Sequence, residues 1–270
     1  MSVFQLPKTL CSDINSMMSK FWWENKENDS KMAWMSCEKM GRTREKGGLG
    51  FRDFEYLNLA LLEKQGWRLL HNIKSLVAKI YKEKYYPNST FLETPLGRSP
   101  PFAWRSIWNA RKLLKEGLVW RVGDGCSIKI WEDRWVDSPS IYAIQSPVNV
   151  LNEGAKVCNL IDTNNNGWNK NLLEELFSEE EARKIREMAI CPSYQPDQLM
   201  WVGSKNGDYS VRSAYHWLKG RRELEDGCCS SNNSLGNLWR DIWNLWVPRA
   251  VALFLWKACT NILPTKENLY

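Results

Sequence analysis

Much of what dedicated chemistry requires is missing from these 270 residues. There are only two histidines, His71 and His216, far apart and with no nucleophile beside either. Eight cysteines are scattered, at Cys11, Cys37, Cys126, Cys158, Cys191, Cys228, Cys229 and Cys259, with no C-x-x-C pair. A structural zinc site needs four N or S ligands, usually presented as two close pairs. No two aspartates are adjacent, whereas two-metal nucleotidyl transfer needs carboxylates gathered around magnesium. The phosphate-loop pattern G-x-x-x-x-G-K-[ST] does not occur. The longest wholly apolar run, Ala250–Trp256, has seven residues, against the roughly 20 that span a bilayer. No basic–apolar–small leader opens the chain. The expectation is a soluble, intracellular protein, nuclear or cytoplasmic, with reduced thiols, no cofactor, no metal, no membrane partner and no catalytic constellation.

What is present is globular in composition: 43% hydrophobic and 25% charged residues, enough to bury a sizeable core. The net charge of +6 is unevenly spread. Residues 1–135 carry 23 basic and 15 acidic side chains, and residues 136–270 carry 14 and 16. The first half is the one a polyanion would meet. Sixteen tryptophans are many, and at helical spacing they read as core or interface before they read as base-stacking platforms.

Periodicity predicts mostly helices. Leu10, Ile14, Met17 and Phe21 form one stripe after Pro7. Arg42–Arg52 is a basic, Gly-rich loop, and Asp53 is placed to cap a long helix with Leu59, Leu62, Gly66, Leu69 and Ile73 on one face. Ser75 opens a helix with Leu76, Ile80 and Lys84, and Pro87 stops it. Ala103, Ile107, Ala110 and Leu114 mark another, closed by Gly117. The period then drops to two: Trp120 and Val122, a Gly123-Asp124-Gly125 turn, then Ile128 and Ile130 read as a hairpin. Asp137–Ala155 reads as a linker and Asn164–Gly167 as a turn. Ser178 with Glu181 matches a capping box, and Glu179-Glu180-Glu181 suit the positive end of the helix it opens. A second hairpin is expected from Leu199–Val202 to Tyr209–Val211 through Asn206-Gly207. A helix with Ala214, Tyr215 and Leu218 follows, then a polar connector over Arg221–Asn237. The tail gives stripes of Trp239, Ile242, Trp243, Trp246 and of Val251, Phe254, Leu255, Ala258, then a capped start at Thr265.

The fold class expected is α+β, mainly α-helical, with two short antiparallel hairpins and an incomplete helical C-terminal segment. Three regions are expected: a basic region over 1–136, a linker with a small helix and hairpin over 137–208, and a Trp-rich helical region over 209–270. Both glycine clusters, Gly47-Gly48-Leu49-Gly50 and Gly123-Asp124-Gly125, read as backbone turns before they read as phosphate cradles or catalytic sites.

Three separated blocks, in order, carry a family resemblance. The first is Trp34…Lys46-Gly47-Gly48-Leu49-Gly50-Phe51-Arg52-Asp53…Asn58…Lys64-Gln65…Trp67-Arg68. The second is Trp104…Ile107-Trp108 with Trp120-Arg121-Val122-Gly123-Asp124-Gly125…Ile130-Trp131…Asp133…Trp135. The third runs from Tyr209-Ser210-Val211-Arg212-Ser213-Ala214-Tyr215 through Trp239…Ile242-Trp243…Pro248-Arg249…Phe254-Leu255-Trp256…Leu263-Pro264-Thr265. Together they resemble the region after the polymerase core of plant non-LTR (LINE-type) retrotransposon reverse transcriptases, up to the start of the reverse transcriptase zinc-binding domain.

The resemblance implies contact with RNA or an RNA–DNA hybrid. The polymerase aspartates would lie before this segment and the zinc cluster beyond Tyr270, so the expectation is a fragment without catalysis or metal. Arg42, Arg44, Lys46 and Arg52, and a second group of Lys79, Lys82 and Lys84, are the candidate phosphate contacts. The alternatives are a protein-interaction or self-associating module built on the Trp-rich tail, and a gene remnant with no selected activity.

Overall fold

Three expected caps form, and they set where helices begin. Asp53, Ser75 and Ser178 accept backbone N–H bonds from Glu55, Ala78 and Glu181, satisfying donors that the first helical turn leaves open. The computed structural model describes residues 2–23, 33–136, 142–147, 151–152, 154–162, 167–190, 195–225, 236–263 and 265–266. Within them the order is α1 (Lys8–Trp23), α2 (Cys37–Met40), a 3₁₀ turn (Arg44–Lys46), α3 (Phe54–His71), α4 (Leu76–Tyr85), α5 (Phe102–Glu116), β1 (Leu118–Arg121), a 3₁₀ turn (Val157–Leu160), β2 (Ile161–Asp162), β3 (Gly167–Trp168), α6 (Lys170–Leu176), α7 (Glu179–Glu187), β4 (Gln198–Trp201), α8 (Val211–Glu225), α9 (Gly236–Asn244) and α10 (Arg249–Cys259). The fold is α+β and mainly helical, with two short antiparallel two-stranded sheets. No helix among the described residues is long and apolar enough to cross a membrane. The turn at Asn164–Gly167 lies largely outside the described residues, as does the helix expected from Thr265.

The strands do not pair as expected. β1 pairs with β4, Leu118 opposite Trp201 and Arg121 opposite Gln198, while β2 pairs with β3. Ile128–Ile130 instead meets 155–157: Val157 N–H donates to Ile128 O and Ile130 N–H to Ala155 O, both at 3.0 Å. Neither expected hairpin therefore closes on itself. The reason for the first is Asp197. Its carboxylate accepts from Gly123 and Gly125 N–H at 2.8 and 2.9 Å, and from Ser127 N–H at 2.8 Å. The loop wraps a side chain from β4's approach, so the chain leaves it in a new direction. At the second, the turn is right, with Gly207 at φ 76° and Trp201 N–H on Gly207 O at 2.7 Å. The returning strand is absent because Val211 already belongs to α8.

Contacts divide the chain into two units, Met1–Ala110 with Val211–Tyr270, and Arg111–Ser210. Position 136 falls inside the second unit, the expected first region is divided between the two, and residues 211–270 share the first unit with residues 1–110.

In the first unit α3 packs on both α1 and α8, and α9 packs on α10 and on the 3₁₀ turn at Arg44–Lys46. Its Asn58 side chain pins the N-terminal segment, accepting from Leu6 N–H at 2.8 Å and donating to Phe4 O at 2.9 Å. A core of Trp23, Met40, Trp239, Ile242, Trp256 and Ile262 is flanked by Trp22, Trp34, Leu49, Phe51 and Trp243. Trp239, Ile242 and Trp256 of the tail are covered by Trp22, Trp23 and residues 34–51, which the sequence did not indicate.

Two stripes point the other way from expectation. On α1, Leu10, Met17 and Phe21 are exposed, Phe21 at 83%, while Cys11, Ser19 and Trp23 are buried. On α10, Val251 and Phe254 are exposed and Ala252 and Trp256 are buried. An almost wholly apolar helix offers periodicity no face to choose; the Trp256 indole, donating to Gly47 O at 2.9 Å, chooses it. Leu76 and Ile80 of α4 are also exposed, and Ala78 is its buried residue. The polar connector expected from Arg221 begins later, since α8 runs to Glu225.

The second unit has its own core: Val122, Ile128, Ile130, Trp135, Val157, Leu160, Leu173, Leu176 and Ile185 among others. Ile144 and Ala155 join it, so the stretch read as a linker contributes to packing.

Candidate nucleic-acid interface

Positive charge gathers on one cleft of the first unit, and local backbone chemistry explains why. The loop after α2 turns back on itself: Gly48 N–H reaches Thr43 O at 3.0 Å and Gly50 N–H reaches Arg42 O at 2.9 Å. Gly47 and Gly50 sit at φ 79° and 76°, where a side chain is strained. Gly48 lies so close to Arg42 that a Cβ would stand 2.1 Å from its carbonyl oxygen. Behind the loop, Trp256 holds Gly47 O and the Trp239 indole lies against Gly47. Three of the loop's basic side chains, Arg42, Lys46 and Arg52, line a cleft.

That cleft, of about 680 Å³, is also lined by Lys8 of α1 and by Lys219 and Arg222 of α8. Its acids are Glu38, Asp53 and Glu55. Two of these are engaged: Glu55 pairs with Lys8 at 3.3 Å, and Asp53 caps α3 by accepting from Glu55 N–H at 2.8 Å. The wall of α8 is fixed by Tyr215, whose hydroxyl accepts from Asp53 N–H at 2.9 Å, and by Lys219, which donates to Gly41 O. Tyr56 hydrogen-bonds Arg222. The net field is positive, and hydroxyl and amide groups of α1 such as Ser12, Asn15 and Ser16 supply further polar contacts.

The shifted groups in and beside the cleft all favour their neutral forms. Burial pushes the Cys11 thiol up, and Glu55 and Asp53 add to the shift, so the nucleophilic thiolate is disfavoured. Burial likewise raises the phenols of Tyr56 and Tyr215. Beside the cleft, His216 of α8 is held below its ordinary range, by desolvation first and then by Arg212, Lys219 and Arg52. No group of three His, Cys, Asp or Glu side chains among the described residues could hold a metal ion.

The sequence-based candidates separate. Arg42, Lys46 and Arg52 share the cleft. Arg44 does not line it; its guanidinium lies 5.0 Å from the Trp243 ring centre, a packing role on α9. Lys79, Lys82 and Lys84 are exposed on α4 and line no part of the cleft. Lys82 donates to Ser89 O at 2.8 Å and stands over Tyr86, and Lys84 stands over Tyr85. Lys8, Lys219 and Arg222 were missed. The only signal in sequence for the last two was the basic spacing of Lys219 and Arg222 on the helix that carries Tyr215, which an expected connector at Arg221 obscured.

Two relatives, both from Arabidopsis thaliana, place the chain. One, named "Putative ribonuclease H protein At1g65750", is 26% identical over 274 aligned residues, covering 99% of this chain. The chain spans 43% of that relative's length. The other, named "Uncharacterized mitochondrial protein AtMg00310", is 42% identical over 137 residues, half of this chain and 89% of that protein. No family model matches. No solved structure matches. With identity of that order along nearly the whole of the shorter relative, the chain belongs to the family of the Arabidopsis mitochondrial protein AtMg00310.

Proposed function

We propose that this chain is a non-catalytic, nucleic-acid-binding segment of a non-LTR retrotransposon reverse transcriptase polyprotein. On this reading its C-terminal helices are the opening of a zinc-binding domain. The observation that carries the reading is the convergence of Arg42, Lys46 and Arg52 with Lys219 and Arg222 on one cleft. Cations at a Gly-rich loop suit phosphate oxygens of a flexible strand. The name of the longer relative, a ribonuclease H protein, agrees with RNA or an RNA–DNA hybrid as ligand. Nothing in the cleft pairs a nucleophile with a base, so binding without turnover is the chemistry proposed.

Anisotropy of labelled single-stranded RNA and of an RNA–DNA hybrid, across a salt series, tests this. Arg42→Ala, Lys46→Ala and Arg52→Ala combined should weaken binding at least tenfold and flatten the log–log salt slope by about 2 on single strands. Arg44→Ala should leave that slope unchanged. Absence of salt-dependent binding by the full chain sinks the proposal, and primer extension or hybrid cleavage with magnesium by purified protein sinks its non-catalytic part.

A second reading rests on a different observation. Trp246 is fully exposed at 103%, next to exposed Leu245 and Val247. A patch of that kind suits self-association. Sedimentation of the full chain decides it: a monomer at high concentration removes this reading and leaves the first intact.

A further inference from the structure

We propose that Cys126 and Cys158 form a reversible disulfide that locks the Gly123–Ser127 loop to the 3₁₀ turn at Val157–Leu160. Both belong to the second unit, whereas the cleft residues belong to the first. Cys126 is exposed, Cys158 is half-buried, and the Cys126 side chain lies close enough to help raise the Cys158 thiol. The backbones run side by side at this point. Cys158 N–H donates to Gly125 O at 3.0 Å. A Cβ on Gly125 would stand 2.6 Å from Cys158 N, so glycine is what lets the segments touch. Asp197 holds the loop from its other side through Gly123, Gly125 and Ser127. Adjoining, anchored backbones bring the two cysteines to neighbouring positions, the arrangement from which a disulfide forms. The Cys126 thiol makes only a long contact to Asp124 O, at 3.8 Å, while the Cys37 thiol donates to Asn15 O at 3.0 Å.

The oxidant is a low-molecular-weight disulfide such as oxidised glutathione. Cys126, the accessible thiol, loses its proton; its thiolate attacks one glutathione sulfur, the glutathione S–S bond breaks, and one glutathione thiolate leaves. Cys158 then loses its proton and attacks the Cys126 sulfur of the mixed disulfide. The second glutathione thiolate departs as the protein S–S bond forms. The protein has given up two protons and two electrons, carried off by two reduced glutathione molecules. Burial and the neighbouring Cys126 raise the Cys158 thiol, while Lys156 lowers it. Its exposure makes Cys126 the point of entry, and half-buried Cys158 the resolving group.

The full chain is equilibrated with glutathione over a range of reduced-to-oxidised ratios, quenched in acid, alkylated and mapped by mass spectrometry. A Cys126–Cys158 linked peptide pair is expected, lighter by two hydrogens than its reduced form. It should vanish after dithiothreitol and be absent in Cys126→Ser. Cys158→Ala provides a second check, because it should trap one glutathione on Cys126. The proposal is overturned if both cysteines are recovered alkylated at every ratio. It also fails if wild type keeps glutathione on Cys126 as a stable adduct, or if either thiol pairs with a different cysteine.

Discussion

Two glycine loops of this protein look alike in sequence and do opposite things with charge. The loop at Gly41–Arg52 bends on its own carbonyls, is backed by Trp239 and Trp256, and sends Arg42, Lys46 and Arg52 into a cleft. The loop at Gly123–Ser127 turns its amides inward around the Asp197 carboxylate. In both, glycine is required by backbone approach: Gly48 against Arg42, Gly123 against Gln195, where a Cβ would meet carbonyl oxygens at 2.1 Å. Gly48 and Gly123 therefore mark a crowded backbone, and Gly50 a left-handed one. What the loop recognises is set by its neighbours: basic side chains in the first, a remote carboxylate in the second.

The largest expected effect tests the inward-facing loop. Asp197→Ala leaves three loop amides without their acceptor and removes a charge-assisted cluster. A loss of about 3 kcal/mol in unfolding free energy is expected, measured by urea denaturation. Cleft binding to nucleic acid by the folded variant should not change. If Asp197→Ala unfolds at the wild-type midpoint, the carboxylate does not organise the loop.

A smaller effect sharpens what glycine does in the outward-facing loop. Gly48→Ala drives a Cβ into the Arg42 carbonyl, a backbone group that cannot swing away, and should cost roughly 2–3 kcal/mol. Gly50→Ala meets open space and bears only the cost of φ 76°, about 1 kcal/mol. Thermal unfolding of the two variants checks the ranking. Equal losses would mean that dihedral strain, and not crowding, selects these glycines.

How far this was legible in sequence follows from which interactions are local. Asp53, Ser75 and Ser178 cap helices within three residues of themselves, so their role can be read directly. Ile107, Ala110 and Leu114 are all buried, as their spacing on α5 indicates. The basic loop is equally local, and three of its four cations reach the cleft. The failures are all long-range. Trp120 and Ile128 alternate as strands do, yet their partners are Leu199 and Val157, and no local pattern encodes a partner that distant. Leu10, Met17 and Phe21 make the better stripe on α1, but the Trp22–Trp23 side is the one drawn into the tryptophan core. The cations of α8 reach the cleft only because α8 packs on α3, a contact between segments far apart in the chain.

The smallest expected effect concerns protons at the cleft. His216 is held below its ordinary value of 6.5 by desolvation, Arg212, Lys219 and Arg52. The folded protein therefore binds fewer protons at this ring than the unfolded chain does. Stability from this residue is fully present above the unfolded value and declines as pH falls below 6.5. A bound polyanion reverses the local balance, because its phosphates offset the three cations and favour the imidazolium. Binding should tighten modestly on acidification, roughly twofold to fivefold between pH 7.5 and 5.5 at constant ionic strength. His216→Gln should abolish that dependence while leaving the affinity at pH 7.5 nearly unchanged. A pH dependence that survives His216→Gln would assign the proton to another group. Its absence in the wild type would mean that phosphates do not come near α8, leaving the Gly-rich loop as the contact surface.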